Sequence, residues 1–291
     1  MLILLSDAFD PGLPDKLKKY GEVTDDKGRV AEAEVVLIRS KTKVTREYID
    51  GAPKMKLVIR GGVGLDNVDR EYAKQKGIIV HNTAAASSVA VAELAFAMMI
   101  AMPNHIAKAD SSMHNGQWLK KELKRTELYQ KTLGIMGMGR IGSEVAKRAK
   151  AFGMKVLAYD PYVKSSDLAE MKTDLKDMLG MSDYVSLNMP LTDETRGILN
   201  RDTLAACKNG AYIVNTGRGK CVIEEDMVEA LKSGKLAGFA TDVWYSDPPE
   251  NSPLMSAPNV LMAPHIGAST NENLLRIGDI IDELIGEYVK K

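Results

Sequence analysis

The chain has 291 residues, a length typical of two domains. Lysine plus arginine and aspartate plus glutamate both total 39, so the sequence shows neither the basic excess typical of nucleic-acid binders nor an acidic tail. Cys207 and Cys221 are too few for a disulfide framework and fit no zinc spacing, so we expect two buried thiols in a reducing compartment. The first residues lack a basic region and have only a short apolar run, which argues against a signal peptide and predicts a cytoplasmic protein.

Short apolar runs rich in branched side chains alternate with helical patterns along the whole chain. In chain order, these runs predict strands over residues 2–5, 35–38, 57–59, 78–80, 133–136, 156–159, 184–187, 212–214, 239–240 and 260–262. Helices are predicted over 15–20, 69–76 and 271–291, with one long apolar helix, kinked by Pro103, over 87–113. Strands that alternate with helices are typical of an α/β protein whose parallel sheets are covered on both faces.

A glycine-rich turn follows the strand predicted at 133–136. Gly137, Gly139 and Gly142 have the spacing G-x-G-x-x-G and precede a helical pattern and a second strand. In a dinucleotide site, the first glycine permits the tight turn, the second lets the backbone approach the pyrophosphate, and the third lets the helix pack against the sheet. Asp160 ends the second strand, where a carboxylate can bind ribose hydroxyls and would repel a 2′-phosphate. The pattern therefore predicts an NAD site rather than an NADP site.

Three later segments place polar residues directly after predicted strands. Residues 215–219 include Arg218, residues 241–249 include Asp242 and Asp247, and residues 263–270 include His265. Because ligands bind beyond the carboxyl ends of the strands in an open parallel sheet, we expect these side chains to be functional. Imidazole titrates near neutral pH and suits acid–base work, and guanidinium offers a fixed fork of donors for a carboxylate.

In their order and approximate spacing, the glycine turn and these three segments resemble the D-isomer-specific 2-hydroxyacid dehydrogenase family over nearly the whole chain. Residues 39–42, 60–69, 126–128 and 131–134 are most similar to the branch of that family that oxidises 3-phosphoglycerate with NAD in serine synthesis. The resemblance implies two doubly wound parallel-sheet domains with a cleft between them. These are a flavodoxin-like substrate domain, residues 1–92 with 270–291, and a Rossmann NAD-binding domain, residues 93–269. It also implies a homodimer that binds neither nucleic acid nor membrane, and a short form without the C-terminal regulatory domain of many relatives.

The resemblance also assigns roles to single residues. It makes His265 the acid–base group, gives Asp247 the task of holding the ring and stabilising its protonated form, and lets Arg218 bind the substrate carboxylate and polarise its carbonyl. Asp242 is expected near the nicotinamide carboxamide. The family usually has glutamate where this chain has Asp247, so the shorter side chain must reach His265 through a backbone shift, through water, or not at all.

The remaining assignments also rest on the resemblance. The residues expected to bind the cofactor are Thr83, Gly137, Gly139, Arg140, Ile141, Gly142, Asp160, Pro190, Thr216, Gly217, Asp242, Gly267 and Ala268. The residues expected to bind the substrate are Arg39, Arg60, Gly62, Val63 and Gly64. No metal ligands are expected, because His81, His105 and His114 show no ligand spacing.

The sequence leaves the substrate open. Arg60 meets either a substrate phosphate or a structural ion pair, and Lys120 and Lys121 are weaker phosphate candidates that could equally form a solvated surface. A glyoxylate or hydroxypyruvate reductase is the alternative enzyme. An NAD-sensing transcriptional corepressor is the alternative from a different functional class.

Overall fold

The computed structural model describes residues 1–290, which form two compact units. Unit 1 combines Met1–Ser88 with the C-terminal segment from Ala268, and unit 2 is Val89–Gly267. Each unit contains one β-sheet in which all strands pair in parallel. The α/β class with two parallel sheets is therefore confirmed.

Unit 1 has a five-stranded sheet with the order β2-β1-β3-β4-β5, which is the flavodoxin-like order. Its strands are β1 (Leu2–Leu5), β2 (Glu22–Thr24), β3 (Val35–Ile38), β4 (Leu57–Arg60) and β5 (Ile79–Asn82). Its helices are α1 (Leu13–Leu17), α2 (Arg46–Asp50), α3 (Arg70–Gln75) and, after unit 2, α10 (Asn271–Val289). Thr45, Asp69 and Thr270 begin α2, α3 and α10, and each side chain accepts a hydrogen bond from the amide three residues later.

Both faces of the sheet in unit 1 are buried. Leu4 lies in a core with Ile49 of α2 and Ala73 of α3, whereas its neighbour Ile3 lies in a core with Ile277 of α10. Successive strand residues point to opposite faces, so the two cores take alternate residues of the same strand. This explains why β1 and β3 are uninterrupted apolar runs in the sequence.

Unit 2 has a seven-stranded sheet with the order β12-β11-β10-β9-β6-β7-β8. Its strands are β6 (Thr132–Met136), β7 (Lys155–Tyr159), β8 (Glu170–Lys172), β9 (Tyr184–Leu187), β10 (Ala211–Asn215), β11 (Leu236–Thr241) and β12 (Val260–Met262). Its helices are α4 (Ser88–Ala101, from Val89 onward), α5 (Ile106–His114), α6 (Arg140–Ala151), α7 (Leu175–Met181), α8 (Arg201–Ala206) and α9 (Glu224–Lys232). The strand order reverses between β6 and β9, and in doubly wound sheets ligands bind at the carboxyl ends of the strands at this point.

The structure corrects two local predictions and shows two strands that were not predicted. The single kinked helix predicted over 87–113 is wrong, because α4 and α5 are separate helices bent by 65° with Pro103 in the turn between them. Proline removes a backbone donor and clashes with the preceding turn, and here His105 also adopts a φ of 53°, so the helix ends there instead of bending. The strand predicted at 78–80 instead covers Ile79–Asn82. The edge strands β2 and β8 were not predicted, because their partly exposed residues form no apolar run.

No single helix in the described part of the chain is long and apolar enough to cross a bilayer. Only α4 and α5 taken together would have the length and apolar composition of a membrane-spanning helix, and they are bent by 65° relative to each other. Ala92, Ala95, Phe96 and Met99 of α4 are buried in the core of unit 2.

Candidate active site

The glycine turn between β6 and α6 is tightly packed on one side and open on the other. Gly137 has a φ of 91°, and a Cβ there would lie 3.0 Å from the Asn188 carbonyl. A Cβ at Gly142 would collide with the Gly137 carbonyl oxygen and lie 3.2 Å from the Ile135 side chain. A Cβ at Gly139 would meet no other atom within 4 Å. Gly137 and Gly142 therefore permit the packing of α6 on the sheet, whereas Gly139 leaves open space above the turn.

α6 begins at this turn without a side-chain cap, because Gly139 is its N-cap residue. α7 and α8, in contrast, begin at Asp174 and Asn200, whose side chains accept hydrogen bonds from helix amides. The first amides of α6 can therefore bind an anion, which the helix dipole favours. Open space beside Gly139 and uncapped amides are what a dinucleotide pyrophosphate requires, so these residues fit the cofactor.

Asp160, the residue after β7, is held by three backbone amides. Its Oδ2 accepts from Met138 at 2.8 Å, and its Oδ1 accepts from Tyr162 at 2.8 Å and Val163 at 3.2 Å. The carboxylate thus ties the loop after β7 to the glycine turn, a role that the sequence did not predict. A carboxylate has about four acceptor positions, so capacity remains for a ribose hydroxyl.

The three segments with polar residues leave neighbouring strands at the same edge of the sheet. The last residues of these strands are register partners, Asn215 of β10 with Thr241 of β11 and Thr241 with Met262 of β12. The loops that follow therefore begin side by side. These are the loops predicted to carry the catalytic groups.

Asp242 fixes the backbone of the loop after β12 through two hydrogen bonds. Its side chain is buried, and its two oxygens accept from the Ile266 and Gly267 amides, each at 2.8 Å. Burial raises the pKa of Asp242, although the two amide hydrogen bonds oppose this shift. Because both amides follow His265 directly, Asp242 determines where the backbone that carries His265 lies.

His265 and Asp247 form a direct hydrogen bond through the ring Nδ1 and a carboxylate oxygen. The shorter aspartate therefore reaches the ring without water. His265 has a φ of 56°, in the left-handed region that non-glycine residues rarely adopt. Both side chains are partly exposed, at 39% for His265 and 46% for Asp247. With Nδ1 held by the carboxylate, the other ring nitrogen, Nε2, is the one that can exchange a proton with a ligand.

The Arg218 loop is fixed by hydrogen bonds to Asn215 and by the close approach of Gly219 to Trp244. The Asn215 side chain accepts from the Gly217 amide and donates to the Arg218 carbonyl, both at 3.0 Å. A Cβ at Gly219 would collide with the Trp244 backbone, so the Arg218 loop and the segment that leads to Asp247 are in van der Waals contact. The Arg218 Nη1 donates to the Gly217 carbonyl at 2.8 Å. The sequence did not predict that Asn215 holds this loop; its only signal was a position three residues before Arg218 in the same segment.

Thr216, beside these residues, is buried, and its hydroxyl has no hydrogen-bond partner among the described residues. Pro190 is exposed, and its carbonyl accepts from the Thr195 hydroxyl at 2.7 Å. Arg140 and Ile141 occupy the first turn of α6, directly after the glycine turn. Ala268, the first residue of the C-terminal segment of unit 1, accepts from the Asn273 side chain at 2.6 Å.

In unit 1 the loop after β4 is organised around Thr83. The Thr83 hydroxyl accepts from the Gly62 amide at 2.9 Å, and the Asn82 side chain donates to the Val63 carbonyl at 2.6 Å. A Cβ at Gly62 would collide with the Arg60 guanidinium, so Arg60 lies directly over this loop. Gly64, like Val63, is partly exposed. The loop thus combines a partly exposed backbone at Val63 and Gly64 with a nearby cation, while Gly62 is buried.

Arg39 is half-buried, and burial lowers the pKa of its guanidinium, while the Asp7 carboxylate opposes this shift. Its amide donates to that carboxylate at 2.6 Å. Lys120 and Lys121, in contrast, are fully exposed and lie in unit 2. Within residues 1–290, no group of three His, Cys, Asp or Glu side chains could hold a metal ion.

The chain is similar to proteins of one known family. The model of the D-isomer specific 2-hydroxyacid dehydrogenase NAD binding domain matches residues 96–267. D-3-phosphoglycerate dehydrogenase of Methanocaldococcus jannaschii is 42% identical over 99% of this chain, which spans 57% of that relative's length. Hydroxypyruvate reductase of Thermotoga maritima is 46% identical over 89% of this chain and 86% of its own.

The fold shows the same relationship. The crystal structure of D-lactate dehydrogenase from Aquifex aeolicus, complexed with NAD and lactic acid, superposes with a TM-score of 0.88. The two sequences are 30% identical, and the match covers 100% of this chain and 96% of that one. The chain therefore belongs to the D-isomer-specific 2-hydroxyacid dehydrogenase family.

Proposed function

We propose that the chain catalyses the reversible, NAD-dependent oxidation of a D-2-hydroxy acid at C2, with 3-phosphoglycerate as the substrate. The observation that carries the reaction type is the hydrogen bond between His265 Nδ1 and the Asp247 carboxylate. A ring held in this way leaves Nε2 to accept the hydroxyl proton, and the carboxylate stabilises the imidazolium that results. NAD, when bound, supplies the hydride acceptor.

The other groups serve binding and orientation. Arg218 binds the substrate carboxylate through its fork of donors and polarises the carbonyl in the reverse reaction. Asp242 holds the loop after β12 in place, and the family resemblance assigns it to the nicotinamide carboxamide. In unit 1, the partly exposed backbone of Val63 and Gly64 is suited to an anionic group of the substrate, whereas the Gly62 amide is already bonded to the Thr83 hydroxyl.

The cofactor assignment is supported by the glycine turn and by Asp160. The turn offers open space at Gly139 and uncapped helix amides for the pyrophosphate. The Asp160 carboxylate favours ribose hydroxyls over a 2′-phosphate, and Pro161 and Tyr162 supply no cation for such a phosphate. NAD is therefore the proposed cofactor, in agreement with the NAD-bound D-lactate dehydrogenase structure.

The preference for 3-phosphoglycerate rests on Arg60, with Arg39 as a second cation, and on the curated phosphoglycerate dehydrogenases at 38–42% identity. Hydroxypyruvate reduction is the second candidate, because the Thermotoga maritima hydroxypyruvate reductase is 46% identical and matches over most of its own length. The two activities differ in whether a phosphate must be bound. Arg60 is therefore the residue on which the choice depends.

NADH absorbance tests the proposal with 3-phosphohydroxypyruvate, hydroxypyruvate and glyoxylate as substrates, and NAD reduction tests it with 3-phosphoglycerate. His265→Ala should lower turnover at least about 100-fold, the low end of acid–base contributions, whereas the exposed His114 replaced by alanine should have no effect. Arg60→Ala should raise KM for the phosphorylated substrate about tenfold or more beyond its effect on hydroxypyruvate, the loss of one charge-assisted contact. Failure to turn over the phosphorylated substrate would overturn the preference for it, and turnover by His265→Ala would overturn the reaction mechanism.

A homodimer is proposed as well, through unit 2. On α5, Ile106 and Met113 are exposed at 53% and 56%, and Trp118 beyond the helix is exposed at 73%. Such large apolar side chains are typical of a surface that another chain covers. Light scattering on the purified chain tests the assembly, and a monomeric mass would contradict it.

A further inference from the structure

The loop that carries Asp247, residues 245–252, is tied at both ends to the start of α9. At one end, the Tyr245 hydroxyl donates to the Val222 carbonyl at 2.6 Å. At the other, the Ser252 hydroxyl donates to the Glu224 carboxylate at 2.8 Å. The two acceptors are only two residues apart in the chain, so the loop is closed onto a single point of unit 2.

The middle of the loop has few other contacts. It contains no helix or strand, and Asp247 and its neighbours from Tyr245 to Pro248 are exposed, so apolar packing holds only the buried flanking residues Trp244 and Leu254. Within the loop, the Ser246 hydroxyl donates to the Pro248 carbonyl at 2.9 Å and accepts from the Glu250 amide at 3.3 Å. Together with the flanking residues, the two ties at the ends of the loop therefore determine the position of the Asp247 carboxylate.

The tie at Glu224 uses a buried carboxylate. Glu224 is 5% exposed, and burial raises its pKa. Burial also raises the pKa of Tyr245, with the nearby Glu224 and Glu225 acting in the same direction and Arg196 against it, so the hydroxyl stays protonated and able to donate. Burying a carboxylate lowers the stability of the fold. A role in holding the loop beside the acid–base pair would explain why this chain has one here.

We propose that Tyr245 and the Glu224–Ser252 pair are positioning residues that keep the Asp247 carboxylate on His265 Nδ1. The family usually has the longer glutamate at position 247, which can follow a small loop displacement by changing its rotamers. Aspartate is one methylene shorter and cannot, so this chain depends on the ties. The inference rests on the proposed function for its meaning in catalysis, but the hydrogen bond that it explains, between His265 and Asp247, is a feature of the fold itself.

The charged groups that face His265 in unit 2 are Asp247, which binds the ring, and Asp242, which lies near enough to interact electrostatically. Neither is altered by removing a tie. Any change in the His265 ring signals of a tie variant therefore reports a displacement of the Asp247 carboxylate. A carboxylate that moves away from an imidazolium stabilises it less.

The test uses the full chain and the variants Tyr245→Phe and Ser252→Ala. The controls are Tyr72→Phe, which removes a tyrosine hydrogen bond to Asp50 in unit 1, and Ser233→Ala, which removes a serine hydrogen bond at the other end of α9. NMR follows the ring signals of His265, assigned among the four histidines with His265→Ala. In each tie variant, we expect the Nδ1 proton signal, which reports the hydrogen bond to Asp247, to move towards the position of an imidazole without that bond, and in the controls to stay in place.

Steady-state kinetics supply the second measurement. We expect kcat to fall about 3- to 10-fold in the tie variants with little change in KM, since substrate binding does not use Asp247. Tyr245→Phe should lower kcat less in an Asp247→Glu background than in the wild-type background, because the longer carboxylate can follow the displaced loop. An unchanged His265 Nδ1 proton signal, or an equal loss of kcat in the two backgrounds, would overturn the inference. A wild-type chain without turnover would instead overturn the proposed function, and the NMR spectra would still decide whether the ties hold Asp247.

Discussion

Alanine substitution at two glycines of the same turn should have different effects on the stability of the fold. At Gly139, an added methyl group meets no atom of the protein within 4 Å, and the φ of −77° and ψ of −159° are ordinary extended values for alanine. At Gly142, the methyl group collides with the Gly137 carbonyl oxygen and presses on the Ile135 side chain. Gly139→Ala should therefore affect the cofactor and spare the fold, whereas Gly142→Ala should affect both.

The magnitudes follow from these contacts. Real Cβ atoms essentially never lie closer than 3.0 Å to another heavy atom, so in Gly142→Ala the start of α6 must retreat by about 1 Å from the sheet. Overpacking of this kind costs about 1–3 kcal/mol of unfolding free energy. Gly139→Ala removes a flexible residue from the unfolded chain and should leave stability unchanged or raise it by about 0.4–1 kcal/mol. Its methyl group enters the space expected for the pyrophosphate, and we expect the Kd for NADH to rise about tenfold or more, or ~1.4 kcal/mol.

Tryptophan fluorescence suits the stability measurement, because both tryptophans, Trp118 and Trp244, lie in unit 2. Urea unfolding followed in this way reports on the unit that carries both substitutions, and a fluorescence titration gives the Kd for NADH. Gly278→Ala in α10 is the control, since its Cβ would lie 3.5 Å from Leu13 in ordinary contact within unit 1. Wild-type affinity in Gly139→Ala would refute the cofactor assignment, and wild-type stability in Gly142→Ala would refute the packing argument.

Three further predictions concern buried or bonded carboxylates. Asp160→Asn should narrow the preference for NADH over NADPH about tenfold, because it removes the charge that repels a 2′-phosphate; unchanged Kd values for the two cofactors would contradict this role. Asp242→Ala leaves the Ile266 and Gly267 amides without partners and should lower the unfolding free energy by about 2–4 kcal/mol in the same urea assay. An unchanged unfolding free energy would show that Asp242 does not hold this loop. Burial raises the pKa of Glu224 above its ordinary 4.5, so its contribution to stability is complete below that pH and is lost as the pH rises through the folded-state pKa. Glutamine does not ionise, so the unfolding free energy of Glu224→Gln minus that of the wild type should increase from about pH 4 towards neutral pH and then level off. A difference in unfolding free energy that stays constant over this range would argue against a buried charge at Glu224.

Local sequence patterns were sufficient for much of the fold. Residues 2–5, 35–38, 184–187 and 260–262 are strands with the predicted bounds, because each is a short apolar run between turn residues. The first three are buried, as is typical of parallel strands, whereas 260–262 is a partly exposed edge strand that is nevertheless apolar. The glycine turn was also recognisable, since its strand, turn and helix are contiguous in the chain. The edge strands β2 and β8 carry no such pattern and were missed.

The site residues show where sequence reasoning ended. Arg218, Asp247 and His265 were selected because each follows a predicted strand, and their family resemblance suggested roles. That Asp247 reaches His265 despite its shorter side chain could not be predicted, because the distance depends on the loop ties to Val222 and Glu224. The hydrogen bonds that Asp160 accepts from Met138 and that Asp242 accepts from Ile266 and Gly267 were equally hidden, since these partners lie 22 to 25 residues away along the chain.

The sequence by itself therefore determined the α/β class, the dinucleotide turn and the identity of the candidate catalytic groups. These depend on hydrophobic periodicity and on motifs of a few adjacent residues, which a linear chain displays directly. Only the tertiary structure decided that β10, β11 and β12 are neighbours in a register that starts their loops side by side. Parallel strands pair through connections far apart in sequence, and hydrogen bonds to distant backbone amides set the position of each carboxylate, so no local pattern records them.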